Sequence, residues 1–187
     1  DFTLAIALPM TIGLIFCAPS LITALCGVKF EHSILPSQII APIILMVAIS
    51  NVFGIQVLFP KGKINIVTLC CGIGAVADLI LNLCLIPFFS YIGTSIAYLG
   101  AEVATTVSMY FIGRRYIPII YFKKSHLTYA FGCIVMAFAL YGISLLQLPT
   151  LTTLLVQGCC GVLTYFIILC ICKDEMLIQI LSKIKKK

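Results

Sequence analysis

The placement of positive charge constrains this chain more than any other feature. Six apolar runs can be marked, at about 4–26, 36–59, 64–88, 93–112, 127–146 and 151–172. Each is near the ~20 residues that a helix needs to cross a bilayer. Read as six spans, they leave eleven of the twelve Lys and Arg residues on one side. Lys61 and Lys63 follow the second run, and Arg114, Arg115, Lys123 and Lys124 follow the fourth. Lys173, Lys183, Lys185, Lys186 and Lys187 follow the sixth, and Lys29 alone lies opposite. Basic residues in short connections stay on the cytoplasmic side. The even runs are therefore expected to end in the cytoplasm, with both ends of the segment there too. The expected fold class is all-α, a polytopic membrane bundle of six transmembrane helices.

Composition agrees. Charged residues make up 10% of the chain, against about 25% in a soluble domain, and the mean hydropathy is +1.20. The net charge of +6 sits in the connections, where it anchors helices. A nucleic-acid partner would need a basic patch on a folded surface, so none is expected, and membrane lipids are the expected surroundings. The ten cysteines show no zinc spacing, and Cys70 and Cys71 point to different sides of a helix, so they read as small packing residues. His32 and His126 fall on opposite sides of the membrane and cannot share a site. No metal, cofactor or catalytic residue is expected, and the chain is not read as an enzyme.

Residues 1–172 read as one six-span unit, and residues 173–187 as a cytoplasmic basic tail. In the tail Leu177, Ile180, Leu181 and Ile184 make an apolar stripe, and the lysines that end it suit an anionic leaflet. The chain opens at Asp1 directly ahead of an apolar run, without a charged n-region or a small-residue cleavage site. The first run is therefore read as a span, and the whole as the C-terminal part of a longer protein. Pro9 and Pro19 should kink the first span, and Pro42 should bend the second. Lys61-Gly62-Lys63 reads as a turn. The fifth and sixth spans hold no ionisable residue and read as lipid-facing or accessory helices.

Two carboxylates stand out. An Asp at the centre of a membrane helix costs ~2.5–3.5 kcal/mol on insertion scales. Asp78 lies ~15 Å from the outer end of the third span, and Glu102 ~13–14 Å from the outer end of the fourth, at 1.5 Å per residue. A link of a few residues makes the two spans antiparallel neighbours, so the acids sit at matched depth. Two carboxylates there repel when both are charged, and one proton or cation held between them resolves this. Asn82, four residues after Asp78, shares its helix face, which Cys71 and Ala75 extend. Tyr98 and Thr106, each four residues from Glu102, are placed to donate hydrogen bonds to it. Small residues Gly93, Ala97, Ala101 and Thr105 form a ridge suited to close helix approach. The site residues read here are Asp78, Asn82 and Glu102, with proton or sodium coupling as their role and a polar helix–helix contact between neutral acids as the alternative; the small-residue ridge reads as packing alone.

The segments NVFGIQVLFPKGK and ADLILNLCLIPFFSYIGTSIAYLGAEV resemble the polysaccharide flippases of the multidrug/oligosaccharidyl-lipid/polysaccharide exporter superfamily. In that family a G-x-Q-x-L-x-P segment precedes a basic turn, then come an N-L-x-L-N-x-x-L-I-P helix and a G-A-x-I-A-T-x-x-A-E helix. Gly54, Gln56, Leu58 and Pro60 match the first. Leu79, Asn82, Leu85, Ile86 and Pro87 match the second, with Asp78 where Asn is usual. Gly93, Ile96, Ala97, Ala101 and Glu102 match the third, with Thr94 and Tyr98 as departures. The resemblance implies a lobe of the exporter fold from the superfamily's drug and polysaccharide transporters, in a bacterial inner membrane. It implies a lipid-linked (undecaprenyl-pyrophosphate) oligosaccharide as cargo, and a further N-terminal lobe of the same protein as partner. A cation-coupled multidrug exporter of the same superfamily is the nearest alternative. An intramembrane aspartyl protease is more distant, since no G-x-G-D motif accompanies the two acids.

Overall fold

The structure, a computed structural model, describes residues 2–116, 124–146 and 149–171. Among these residues every regular element is helical and none is a strand. The basic tail at 173–187, Cys172 and the aromatic connection through Tyr121, Phe122 and Lys123 lie outside the described residues. Five stretches are long and apolar enough to cross a membrane: Phe2–Leu25, Val28–Leu58, Ile64–Gly113, His126–Ser144 and Thr150–Ile171. The chain is thus all-helical and compatible with a multi-pass membrane protein. The six runs become five because the third and fourth join in one element, α4 (Ile64–Gly113).

Two compact units make up the chain, Asp1–Ile34 with Phe122–Lys187, and Leu35–Tyr121. In the second unit, α4 is 50 residues long but is not straight. At Ser90 the backbone leaves helical geometry, with φ 48° and ψ −127°. The chain folds back there. In a straight helix residues 74 and 105 would lie about 46 Å apart, yet a Cβ on Gly74 would collide with the Thr105 side chain. Likewise a Cβ on Gly93 would sit 2.6 Å from the Leu85 carbonyl oxygen, and one on Gly100 would sit 2.7 Å from Leu81 Cδ1. These pairings run in opposite chain directions, so 64–89 and 91–113 are two antiparallel arms. The small ridge lies along their seam: Gly93, Ala97 and Ala101 are buried. Close approach of backbones through small residues is what holds helices together where lipid is as apolar as leucine.

Ahead of α4, a short 3-10 turn (Val28–Ser33) leads into α2 (Ile34–Ile40) and then α3 (Ile43–Asn51). Pro42 interrupts the span as its chemistry requires. The regular helix breaks after Ile40: Ala41 N–H still donates to the Ser37 carbonyl at 3.1 Å, and Ile44 and Leu45 N–H then donate only three residues back, to the Ala41 and Pro42 carbonyls, each at 3.1 Å. From Val52 to Leu58 the helix widens to π geometry; Phe59 N–H, for example, reaches the Gly54 carbonyl five residues back at 2.9 Å. The basic turn then closes by a Schellman pattern. Lys63 N–H donates to the Leu58 carbonyl at 3.0 Å and Gly62 N–H to the Phe59 carbonyl at 2.9 Å. Gly62 occupies the left-handed position, with φ 68°, which a side chain would resist. Phe53, Leu58, Cys70 and Met109 form the core that joins α3, the π segment and both arms.

The first unit packs α1 (Phe2–Leu25) against α5 (Lys124–Ser144) and α6 (Thr150–Ile171). Both α5 and α6 have an exposed apolar face, with Phe131, Phe138, Leu155 and Val162 upon it, and an opposite face that builds a core. Tyr129 and Leu140 of α5 are fully buried and, with Tyr165 and Leu169 of α6 and Ala5 of α1, form the core. Glycines create the space: the Met136 methyl lies against Gly13 of α1 and Gly161 of α6. Pro9 has no N–H to offer the carbonyl four residues back, that of Ala5. Tyr165 Oη fills the role, donating to that carbonyl at 2.8 Å. The proline is absorbed without ending α1, which runs on through Leu25.

Candidate functional site

The two antiparallel arms of α4 bring the carboxylates together. Asp78 on the first arm and Glu102 on the second both line one open cleft of about 560 Å³. The end of α3 and the π segment close its other side, through Ser50, Asn51 and Gly54. Tyr98 and Thr105 add further polar groups. Several polar atoms are already committed: Ser50 Oγ donates to the Val47 carbonyl at 3.1 Å, and Thr105 Oγ1 to the Ala101 carbonyl at 3.0 Å. These hydroxyls keep lone pairs to offer, whereas their protons are spent on the helix. Among the described residues no Lys, Arg or His lines the cleft, so its formal charge comes from Asp78 and Glu102 alone.

Asp78 also borders a second cleft of about 400 Å³, together with Asn82, Tyr91, Thr94, Ser95 and Tyr98. Asn82 Nδ2 donates to the Asp78 backbone carbonyl at 2.9 Å. That bond fixes the amide, since only its nitrogen can face a carbonyl, and presents Oδ1 as an acceptor. Asp78 Oδ1 and Asn82 Oδ1 are both buried, and neither has a hydrogen-bond partner among the described residues. Two buried acceptors four residues apart, without a donor, suit a proton on the carboxyl or a small hard cation, which takes oxygen ligands. No group of three or more His, Cys, Asp or Glu gathers among the described residues, so a cation here would rely on amide, hydroxyl or backbone oxygens as well.

Of the sequence-derived candidates, the structure places Asp78, Glu102 and Gly54 around the first cleft, and Asn82 on the second. The shared face of Cys71, Ala75 and Asp78 does line the first cleft. Gln56, Pro60 and Pro87 line neither cleft, and Gly93 is buried at the seam of the arms. One expected hydrogen bond is corrected: Thr106 Oγ1 donates to the Met46 carbonyl at 3.2 Å, tying the second arm to α3 rather than serving Glu102. Cys70 is buried and Cys71 exposed, as adjacent residues on one helix should be, and the described cysteines are free thiols.

Two features of the structure have no counterpart in the sequence reading. Ser50 and Asn51 are the first, although two polar residues in the middle of an apolar run are a signal in themselves. The second is Gln157 of α6, 1% exposed, with both amide atoms buried and without a partner among the described residues. Thr153, Gln157 and Gly161 repeat every four residues and all three are buried, the same small-and-polar periodicity that marks the second arm of α4. Compared with known proteins, the chain matches no family model, no curated protein and no solved structure.

Proposed function

We propose that the chain is part of a membrane transporter in which Asp78 and Glu102 couple movement of cargo to a proton or sodium ion. One observation carries this reading. Two carboxylates on different helical arms line a single cleft, and the buried Oδ1 of one of them has no partner among the described residues. Acids within apolar helices are costly, and those that persist mark ion and substrate pathways. In this reading α4 crosses the membrane twice, once per arm, so the five apolar stretches make six crossings. The segments around Gly54–Pro60, Leu79–Pro87 and Gly93–Glu102 favour a polysaccharide flippase of the exporter superfamily, carrying a lipid-linked oligosaccharide in a bacterial inner membrane. A second lobe of the same transporter would face the cleft.

The charge of the cleft favours a second reading, a cation-coupled multidrug exporter of the same superfamily. A pyrophosphate-linked cargo is anionic, and the cleft offers it no cation. The two readings part on the cargo and agree on the carboxylates.

The test uses the full-length transporter. Asp78→Asn and Glu102→Gln keep shape and remove charge. Coupling free energies of the ordinary size predict a loss of roughly 5–150-fold in transport, with membrane expression unchanged. Glu102→Gln should be the more damaging, because Asn at position 78 restores the residue usual in the flippases. Surface polysaccharide in a flippase-deficient strain, followed as pH and sodium vary, reads the first cargo; efflux of a cationic dye reads the second. Normal transport and normal ion dependence in Glu102→Gln would leave the acids as helix-packing groups and defeat the coupling role.

A further inference from the structure

At the end of the second unit opposite Ser90, two lysines converge on one tyrosine. Lys61 Nζ donates to the Tyr116 backbone carbonyl. Lys63 Nζ lies over the Tyr116 ring, 5.1 Å from its centroid. The Schellman turn fixes both lysines, because its hydrogen bonds set the backbone on either side of Gly62. Tyr116 is fixed in turn by its N–H, which donates to the Gly113 carbonyl at 2.8 Å. Arg114 and Arg115 precede it in the same turn, and both are exposed. The segments 59–63 and 113–124 contain no Asp or Glu. Two ammonium groups thus meet at one aromatic residue, two exposed arginines directly precede it in the chain, and neither segment holds a carboxylate.

Membrane orientation alone asks for basic residues on one side, not for their convergence. Like charges spread apart when nothing holds them, and lysine side chains have the freedom to do so. Here a carbonyl and a ring hold two ammonium groups against a single residue, with two guanidinium-bearing residues beside it. That arrangement is stable beside an anion with several acceptor oxygens. We propose that Lys61, Lys63, Arg114, Arg115 and Tyr116 form a binding site for the phosphate of an anionic phospholipid headgroup. The level is right, since Tyr116 ends an apolar arm and aromatic residues there mark the headgroup region. Tyr116 acts as the keystone: its carbonyl and ring place the ammonium groups that meet the phosphate. The site rests on the reading that these helices cross a membrane, and it is independent of the cargo in the cleft.

The test is lipid retention by the whole purified chain in detergent micelles, read by native mass spectrometry with phosphatidylglycerol and phosphatidylcholine as probes. Phosphatidylglycerol should be retained in preference. Lys61→Gln and Lys63→Gln should each lower its retention about fivefold, the worth of one basic residue at an anionic surface. Tyr116→Leu should lower it several-fold although no charge changes, and Tyr116→Phe should leave it intact. Lys29→Gln removes the same charge elsewhere and should have no effect. Equal loss in Lys29→Gln and Lys63→Gln would show that net charge binds the lipid, and would overturn the site. Full retention in Tyr116→Leu would do the same. Displacement of the lipid by millimolar inorganic phosphate would overturn the lipid assignment and give the site to a free anion instead. Helical content is read for every variant, and if Tyr116→Leu fails to fold, the comparison of Lys63→Gln with Lys29→Gln still decides.

Discussion

Ser90 shows how one residue can organise a unit. Its φ of 48° belongs to a region where a Cβ crowds the backbone, at a cost of about 1–3 kcal/mol for residues other than glycine. Ser90→Gly relieves that crowding but makes the unfolded chain freer by about 0.5–1 kcal/mol. Relief of the crowding outweighs the added freedom, so Tm in micelles should rise by an amount equivalent to about 1 kcal/mol; a Tm at or below that of the parent would show that Ser90 is unstrained. The sequence does not disclose this position, because neither Gly nor Asn-Gly marks it, and the residues at 89–92 between the two apolar runs, Phe-Ser-Tyr-Ile, show only a link of a few residues. Asp78 and Glu102 are legible for the opposite reason. An ionisable side chain in an apolar run has few explanations. Gln157 carries no charge and hides among the apolar residues of α6, although it is fully buried. The partner of Thr106 is unreadable too, since a spacing of four on one helix cannot reveal a carbonyl on another.

At the scale of elements, the antiparallel pairing of the arms is legible from two apolar runs joined by a short link, and the close seam from glycine and alanine every fourth residue. The seam depends on Gly93, where an added Cβ would meet the backbone of Leu85 at 2.6 Å. Backbone cannot swing aside as a side chain can. Gly93→Ala should therefore destabilise the hairpin by about 1–3 kcal/mol, as overpacking does. Gly72, on the same helical element, has nothing within 4 Å of an added Cβ. Gly72→Ala should be neutral or stabilising by up to about 1 kcal/mol, the helix-propensity difference. Thermal unfolding of the two variants side by side separates the clash from propensity, and equal effects would refute the tight seam. The π segment at Val52–Leu58 is not legible. Over seven residues, apolar periodicity does not distinguish bonds to the fourth residue from bonds to the fifth. Its effect is nonetheless local to the site: it brings Gly54 to the wall of the cleft that Asp78 and Glu102 share.

At the scale of the molecule, charge and contacts make separate statements about sidedness. Within the second unit, Lys61 and Lys63 meet Tyr116, so the turn that enters the first arm and the turn that leaves the second lie at one end. The reversal at Ser90 lies at the other. If each arm of α4 crosses the membrane, positions 63 and 115 face one compartment and position 90 the other. The basic bias independently predicts that the first pair faces the cytoplasm and Lys29 the outside. Both statements can be read in one experiment, with the ten cysteines replaced and single cysteines placed at 29, 63, 90 and 115. An impermeant thiol reagent added to intact cells should label positions 29 and 90, and should label 63 and 115 only after the membrane is opened. Labelling of 90 together with 63 would show that α4 does not cross twice and would reduce the six crossings to five or fewer. Labelling of 29 together with 63, with 90 still opposite, would keep the hairpin and overturn the orientation drawn from charge.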